Sequence, residues 1–307
     1  MKKNFIAVGV APFFSLAILF LGLAHEAMAK ENPTEWQASY YDGNSGPQFM
    51  WGMQLLKIYS LIPDASILSV GCGIGDIEAA LLERNPTIKN IVATDKSASM
   101  IKRAAEKYSR HPKLSFETID ALHLAAAYDS CFDHVVCLNA FLWFSDQNNA
   151  LRQMSAVLKP GGTILVNSTM KSENFSWPLL ESFDRVAKSQ KWKDRNFDSV
   201  SAMHADCPGL DTDTLQEDLR HADLLLVHLE TEIIIRTLFP SKALFAEFLQ
   251  PILRGYSTLN ILSEDEKNDF ISDVADEFIR RYSPHTNNGE VEYALPHNAI
   301  VIAQKAR

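Results

Sequence analysis

The chain is poor in cysteine. Four occur in 307 residues, Cys72, Cys131, Cys137 and Cys207, with no CxxC pair and no metal-ligand spacing among them. Neither a zinc site nor a dithiol centre is written in that pattern, and the four read as small buried hydrophobes. Basic residues are also in deficit: 29 Lys and Arg stand against 38 Asp and Glu, a net charge of -9. A nucleic-acid backbone calls for a basic face, so this balance argues against nucleic acid as the main partner. No repeat and no low-complexity tract interrupts the chain. What remains is 47% hydrophobic, enough for a sizeable core, at a length that suits one large or two small domains.

The first 29 residues read as a targeting segment. Lys2 and Lys3 precede an uncharged run that ends at Ala24, and Ala27-Met28-Ala29 has the A-x-A form of a cleavage site. Two readings stand: a signal peptide cleaved after Ala29, or an uncleaved membrane anchor. The apolar part, residues 5–24, is long enough to span a bilayer, although Gly9 and Pro12 weaken it as a membrane helix. In either case the paired lysines hold the start inside and the rest crosses, so the protein is expected to be exported or anchored. The membrane is then a partner only through this segment, and residues 30–307 form the working domain.

From residue 67 onward, apolar runs of strand length alternate with helical patterns, as in a parallel sheet covered on both faces. Strands are expected at 67–70, 91–94, 114–119, 132–138 and 163–167. After Ser168 the alternation lapses, and strands return at 224–238 and 296–303. Helices are expected at 48–59, 76–84, 97–108, 147–158, 241–253 and 263–282. The fold class is α/β: a Rossmann-like, doubly wound, seven-stranded sheet with a helical cap insertion, about 171–222, between strands five and six. In such sheets, polar residues at strand C-termini are where ligands bind.

The chain is organised around its first strand and the turn that follows it. Ile67-Leu68-Ser69-Val70 runs into Gly71-Cys72-Gly73-Ile74-Gly75 and then into a helix. Glycines allow positive φ and close approach of a ligand, and the helix start offers free amides. The dinucleotide fingerprint G-x-G-x-x-G wants a small residue at position 76, where this chain has Asp76. The glycines fall instead as G-x-G-x-G. The segments ILSVGCGIG, IVATDKSASMIKRAAEKY, LSFETIDALHL and FDHVVCLNAFLWFSDQNNALRQMSAVLKPGGTILV resemble class I S-adenosylmethionine (SAM)-dependent methyltransferases, in their order and at their spacing. The resemblance covers residues 44–167. LFPSKALFAEFLQPIL and ALPHNAIVIAQKAR look more loosely like the juvenile-hormone-acid and trans-aconitate methyltransferases, which are small-molecule carboxyl O-methyltransferases.

That resemblance implies SAM as cofactor and a set of binding positions. Gly71, Cys72, Gly73 and Gly75 would form the cradle. Asp95, followed by Lys96, would accept from both ribose hydroxyls; a carboxylate is the strongest acceptor for paired donors, though Asp95 could also simply cap the next helix. Asp120 and Ala121 would read the adenine, or Asp120 is a loop aspartate. Met100 and Ile119 would sandwich the ring, or are ordinary core. Asn139 would lie near the methionine moiety. Gln48 and Trp143 stand where the family holds an acid substrate for catalysis; alternatively Gln48 is an exposed helix residue and Trp143 core. Two departures stand out. Ser69 replaces a usual acidic residue that helps hold the cofactor's amino group, and Leu142 replaces a frequent histidine.

The reading is therefore a SAM-dependent methyltransferase with a small-molecule methyl acceptor, such as a carboxylic acid. A carboxylate is ionised at neutral pH and needs no general base, so positioning and desolvation would carry the rate. Its rivals are a non-catalytic SAM-fold binding module, which Ser69 and the leader favour, and a nicotinamide-dependent oxidoreductase, which the glycine spacing opposes. Export would separate the enzyme from a cofactor made in the cytosol.

Overall fold

The computed structural model describes residues 5–8, 38–42, 46–171, 177–198, 209–283 and 289–307. The apolar runs become eight strands: β1 (Phe5–Val8), β2 (Ser66–Val70), β3 (Asn90–Asp95), β4 (Leu114–Thr118), β5 (Phe132–Cys137), β6 (Leu158–Thr169), β7 (Leu224–Phe239) and β8 (Val291–Lys305). Ten helices connect and cover them: α1 (Ala38–Tyr41), α2 (Gly46–Leu55), α3 (Asp76–Arg84), α4 (Ala98–Lys107), α5 (Leu124–Ala127), α6 (Gln147–Val157), α7 (Pro178–Ala187), α8 (Leu215–His221), α9 (Lys242–Arg254) and α10 (Glu264–Tyr282), counted among the described residues.

One sheet results, in the order β1-β7-β8-β6-β5-β2-β3-β4. Strands β2 to β6 are mutually parallel, and β8 lies antiparallel between β6 and β7. The central strands β2 and β5 are almost wholly buried because both faces of the sheet are covered there. In β2, Ile67 packs into one core while Leu68 and Val70 pack into the other; in β5, Val136 and its neighbours Val135 and Cys137 divide the same way. The chain leaves β2 outward to β3 and β4, then returns to start β5 on the other side of β2. That reversal opens a crevice at the carboxyl ends of β2 and β5, the place where doubly wound sheets bind ligands.

Helix starts follow side-chain capping. Ser97 accepts from the Met100 amide, Asp146 from Asn149 and Ser241 from Leu244, while Ser263 and Glu266 form a reciprocal capping box.

The structure differs from the sequence reading in four places. Residues 5–8, expected in the leader, pair as a parallel edge strand with β7, so the sheet has eight strands rather than seven. The rest of residues 1–29 lies outside the described residues; among those described, no helix is long and apolar enough to cross a membrane. Strand β6 starts at Leu158, because Leu158 already pairs with Phe132 and residues 159–162 continue the strand across a register shift opposite β5, with Gly161 at positive φ. The stretch expected to form one cap, 171–222, sends its described parts to opposite faces: Leu179, Leu180 and Phe183 of α7 pack with α10, whereas Leu215 and Leu219 of α8 pack against the α6 side. Of the cysteines expected in the core, Cys137 is buried and Cys72 half-buried, but Cys131 is exposed, since it precedes β5 at the sheet's rim. Cys207 lies outside the described residues.

Candidate active site

The glycine turn is held by backbone bonds. The amides of Gly71 and Cys72 both donate to the Thr94 carbonyl at the end of β3, at 2.8 and 3.0 Å, and Gly75 donates to Cys72. Gly71 has φ +73°, and a Cβ there would sit 2.3 Å from the Ala140 methyl, so glycine is required. Gly75, at φ +81°, is the residue that starts α3; a Cβ on it would come within 2.5 Å of the Phe116 ring.

Asp95 ties this turn to the next one. One carboxylate oxygen accepts from the Gly73 amide at 3.0 Å, the other from Ser97 at 2.9 Å. Burial raises its carboxyl above the usual carboxylate range, with the two amides pulling the other way. It is thus the loop's anchor as well as a ligand candidate, with an acceptor lone pair left on each oxygen. Asp120 caps the short 3₁₀ turn at 121–123 by accepting from Leu122.

Asn139 follows β5 in the left-handed region, at φ +58°. A non-glycine residue held there is strained unless its surroundings fix it. Asn167 supplies the fixing: its Oδ1 accepts from the Asn139 amide at 2.8 Å and its Nδ2 donates to Asn139 Oδ1 at 3.1 Å. Asn139 Nδ2 in turn donates to the Gln48 carbonyl, joining α2 to the sheet.

These groups line one cavity of about 1370 Å³, its open mouth included. On the β3–β4 side it is walled by Gly71, Gly73, Asp95, Lys96, Met100, Ile119, Asp120 and Ala121; on the far side by Trp51, Leu142, Trp143, Trp177, Leu179, Ile252 and Tyr293, with Gln48 and Asn139 between. Tyr256 tilts against Trp143 at 5.5 Å, and Trp51 stacks on Tyr293 while donating to Thr237.

A smaller recess opens beside Gly71, Asn139 and Gln48. It is also lined by Ser69, Cys72 and Glu78. Glu78 sits in the first turn of α3, is 3% exposed, and receives the Ser69 hydroxyl on Oε1 at 2.6 Å. Its Oε2 is buried without a partner, as is Gln48 Oε1. Burial, with smaller contributions from Asp76 and Asp95, pushes the Glu78 carboxyl up to about 7, against the bond from Ser69.

Of the binding and catalytic positions singled out from the sequence, Gln48, Ser69, Gly71, Cys72, Gly73, Asp95, Lys96, Met100, Ile119, Asp120, Ala121, Asn139 and Trp143 each line one of these two spaces. Gly75 does not; it is there for its backbone and for Phe116. Gln48 is buried, not exposed. Sequence reasoning missed Tyr41, Glu78 and Asn167. An acid among the apolar residues of a helix's inward face, as Glu78 is between Ile77 and Ala79, was the one signal available.

Residues 67–162 match a family described as a methyltransferase domain. Trans-aconitate 2-methyltransferase of Deinococcus radiodurans is 29% identical over 152 residues, 48% of this chain and 53% of that protein. Malonyl-[acyl-carrier protein] O-methyltransferase of Serratia marcescens is 30% identical over 131 residues, 43% of this chain and 49% of that protein. The chain thus spans about half the length of these relatives. A Haemonchus contortus phosphoethanolamine N-methyltransferase 2 in complex with S-adenosyl-L-methionine shares the fold at 14% identity and a TM-score of 0.54, over 88% of this chain and 57% of that one.

Proposed function

From a chain that belongs, through residues 67–162, to the class I SAM-dependent methyltransferases, we propose an enzyme that methylates a small molecule on a carboxylate. The observation that carries this reading is the single cavity with two unlike halves. One half offers the glycine turn, Asp95 and Asp120; the other is aromatic and joined to it at Gln48 and Asn139.

The residues fit the cofactor. The positive-φ glycines leave space for a ligand against the backbone, Asp95 keeps free lone pairs for a pair of hydroxyls, and the recess holds buried acceptors that lack a donor. Bound SAM supplies a methyl group made electrophilic by its sulfonium. The chain's own work is to position and to exclude water. Trp143, Trp51, Trp177 and Leu179 close an apolar wall around the acceptor, and Gln48 orients it from the junction of the halves.

Among the described lining residues there is no histidine, and the ionisable ones are Tyr41, Asp95, Lys96, Asp120 and Tyr293. Burial raises both tyrosines well above their ordinary range, so neither accepts a proton at neutral pH. Among the described residues, the aromatic half therefore presents no general base. An acceptor that arrives already ionised, a carboxylate, suits such a site; an alcohol, which must lose a proton, does not. The aromatic wall favours an acid with an apolar body.

The test is calorimetry with SAM and NAD, followed by methyl transfer to a panel of apolar and polar carboxylic acids and matched alcohols. SAM binding and transfer to apolar acids are expected. Transfer to alcohols but not acids would overturn the carboxylate reading, and NAD binding without SAM binding would overturn the whole. Residues 1–29 are proposed as an export signal or anchor; the mature N-terminus, read by mass spectrometry, tests that.

A further inference from the structure

The buried recess beside the glycine turn contains more acceptor than donor. Glu78 has one carboxylate oxygen satisfied by Ser69 and the other without a partner, and Gln48, on the same recess, has a buried carbonyl oxygen without one. Leaving a buried acceptor unsatisfied is costly, and two on one recess describe the outline of a missing donor. No Lys, Arg or His lines the recess among the described residues. A ligand that carries a cationic donor would satisfy both.

Resting on the reading of the main cavity as a SAM site, we infer that Glu78 is the residue that holds the cofactor's α-amino group. Strand β2 brings only a neutral hydroxyl, Ser69, to this spot, and α3 delivers the carboxylate from the other side of the turn. The direction is consistent. With the ribose at Asp95 and the adenine at Asp120, the rest of the molecule must run along Gly71 toward Asn139, which both spaces share. The recess opens there. Ser69 then acts as a positioning residue, fixing the carboxylate through Oε1 so that Oε2 and Gln48 Oε1 are left for the ammonium. A carboxylate poised at a pKa of about 7 gains its charge fully when that ammonium arrives.

The test uses the full chain and two nucleosides that differ at the amino-acid end: S-adenosylhomocysteine, which has the ammonium, and 5′-deoxy-5′-methylthioadenosine, which lacks it. Glu78→Gln should weaken S-adenosylhomocysteine by about tenfold or more, the scale of a lost charge-assisted bond, and leave methylthioadenosine within about twofold. A double variant, S69D with E78Q, restores a carboxylate from the strand side and should recover most of the lost affinity. Equal weakening of both nucleosides would mean that Glu78 only shapes the turn, and unchanged S-adenosylhomocysteine binding would mean that it does not touch the amino group; either overturns the inference alone. A wild-type protein that binds neither nucleoside overturns the SAM reading and this one with it. If E78Q fails to fold, Ser69→Ala serves in its place, with the same discrimination between the two nucleosides expected at smaller size.

Discussion

Asp95 holds the loop and faces the ligand, and its removal should show both roles. Asp95→Ala loses the acceptor for the ribose and also unpins the amides of Gly73 and Ser97. SAM affinity measured by calorimetry should fall by at least about 30-fold, roughly 2 kcal/mol. Unchanged affinity would remove Asp95 from the site. Glu78 makes a different forecast, about stability. Its carboxyl titrates near 7 in the folded chain, above its ordinary 4.5, so it favours the protonated form on folding. That contribution is complete below the unfolded value and is lost as pH rises through about 7, at most on the order of 3 kcal/mol. The groups facing it are Ser69 on β2, Tyr41 on α1, Cys72 in the turn, Asp95 at the end of β3 and Asp76 on its own helix. In thermal unfolding of the ligand-free protein, the difference between wild type and E78Q should change with pH between about 5 and 7.5 in that direction. A difference flat in pH would mean that Glu78 is not the group that titrates.

At the scale of elements, the turn between β2 and α3 is the least forgiving part of the fold. Gly75→Ala must place a methyl against the Phe116 ring in a left-handed residue, and should destabilise by about 1–3 kcal/mol in denaturant unfolding. Phe116→Leu in the same chain should return part of that loss, because the ring is the obstacle; strict additivity would show that backbone strain alone sets the cost. This turn was also the most legible part of the sequence, since glycine spacing reports backbone geometry directly. Helix α3 was readable for the same reason. The split of 171–222 was not. Whether Leu215 packs on one face of the sheet or the other depends on contacts with α6, far away in sequence. Nor was Glu78, whose meaning depends on a serine nine residues earlier and a helix crossing above it. The Asn139–Asn167 exchange is likewise non-local: two asparagines at neighbouring strand ends carry no mark of partnership in the chain.

For the molecule as a whole, the sheet's outer edge is open to direct test. Strand β1 adds four residues in register with β7, whereas β7 and β8 pair along most of their lengths. A protein lacking residues 1–29 should therefore keep its seven-stranded sheet and its affinity for SAM, with a thermal midpoint within a few degrees of the full chain. Collapse of the circular-dichroism spectrum on truncation would make β1 part of the required fold and set the sheet against cleavage of the leader. On that edge Leu225 and Val227 already face solvent on β7. A truncated protein that loses its first strand also uncovers the β7 backbone at residues 234–237, farther along the same edge, and a longer unpaired edge is the usual setting for edge-to-edge association.

The pairing of Ser69 with Glu78 has a consequence for how such chains are sorted. A comparison made column by column sees a serine where an acid belongs and files the protein among degenerate relatives that have kept the shape and lost the chemistry. In space, the Glu78 carboxyl stands at the same corner, reached from a helix rather than a strand. Function of this kind is a property of a location, and two positions in the chain can exchange the duty of filling it. A chain judged inactive for want of that one strand residue can still carry the carboxyl three residues after the last glycine of its turn.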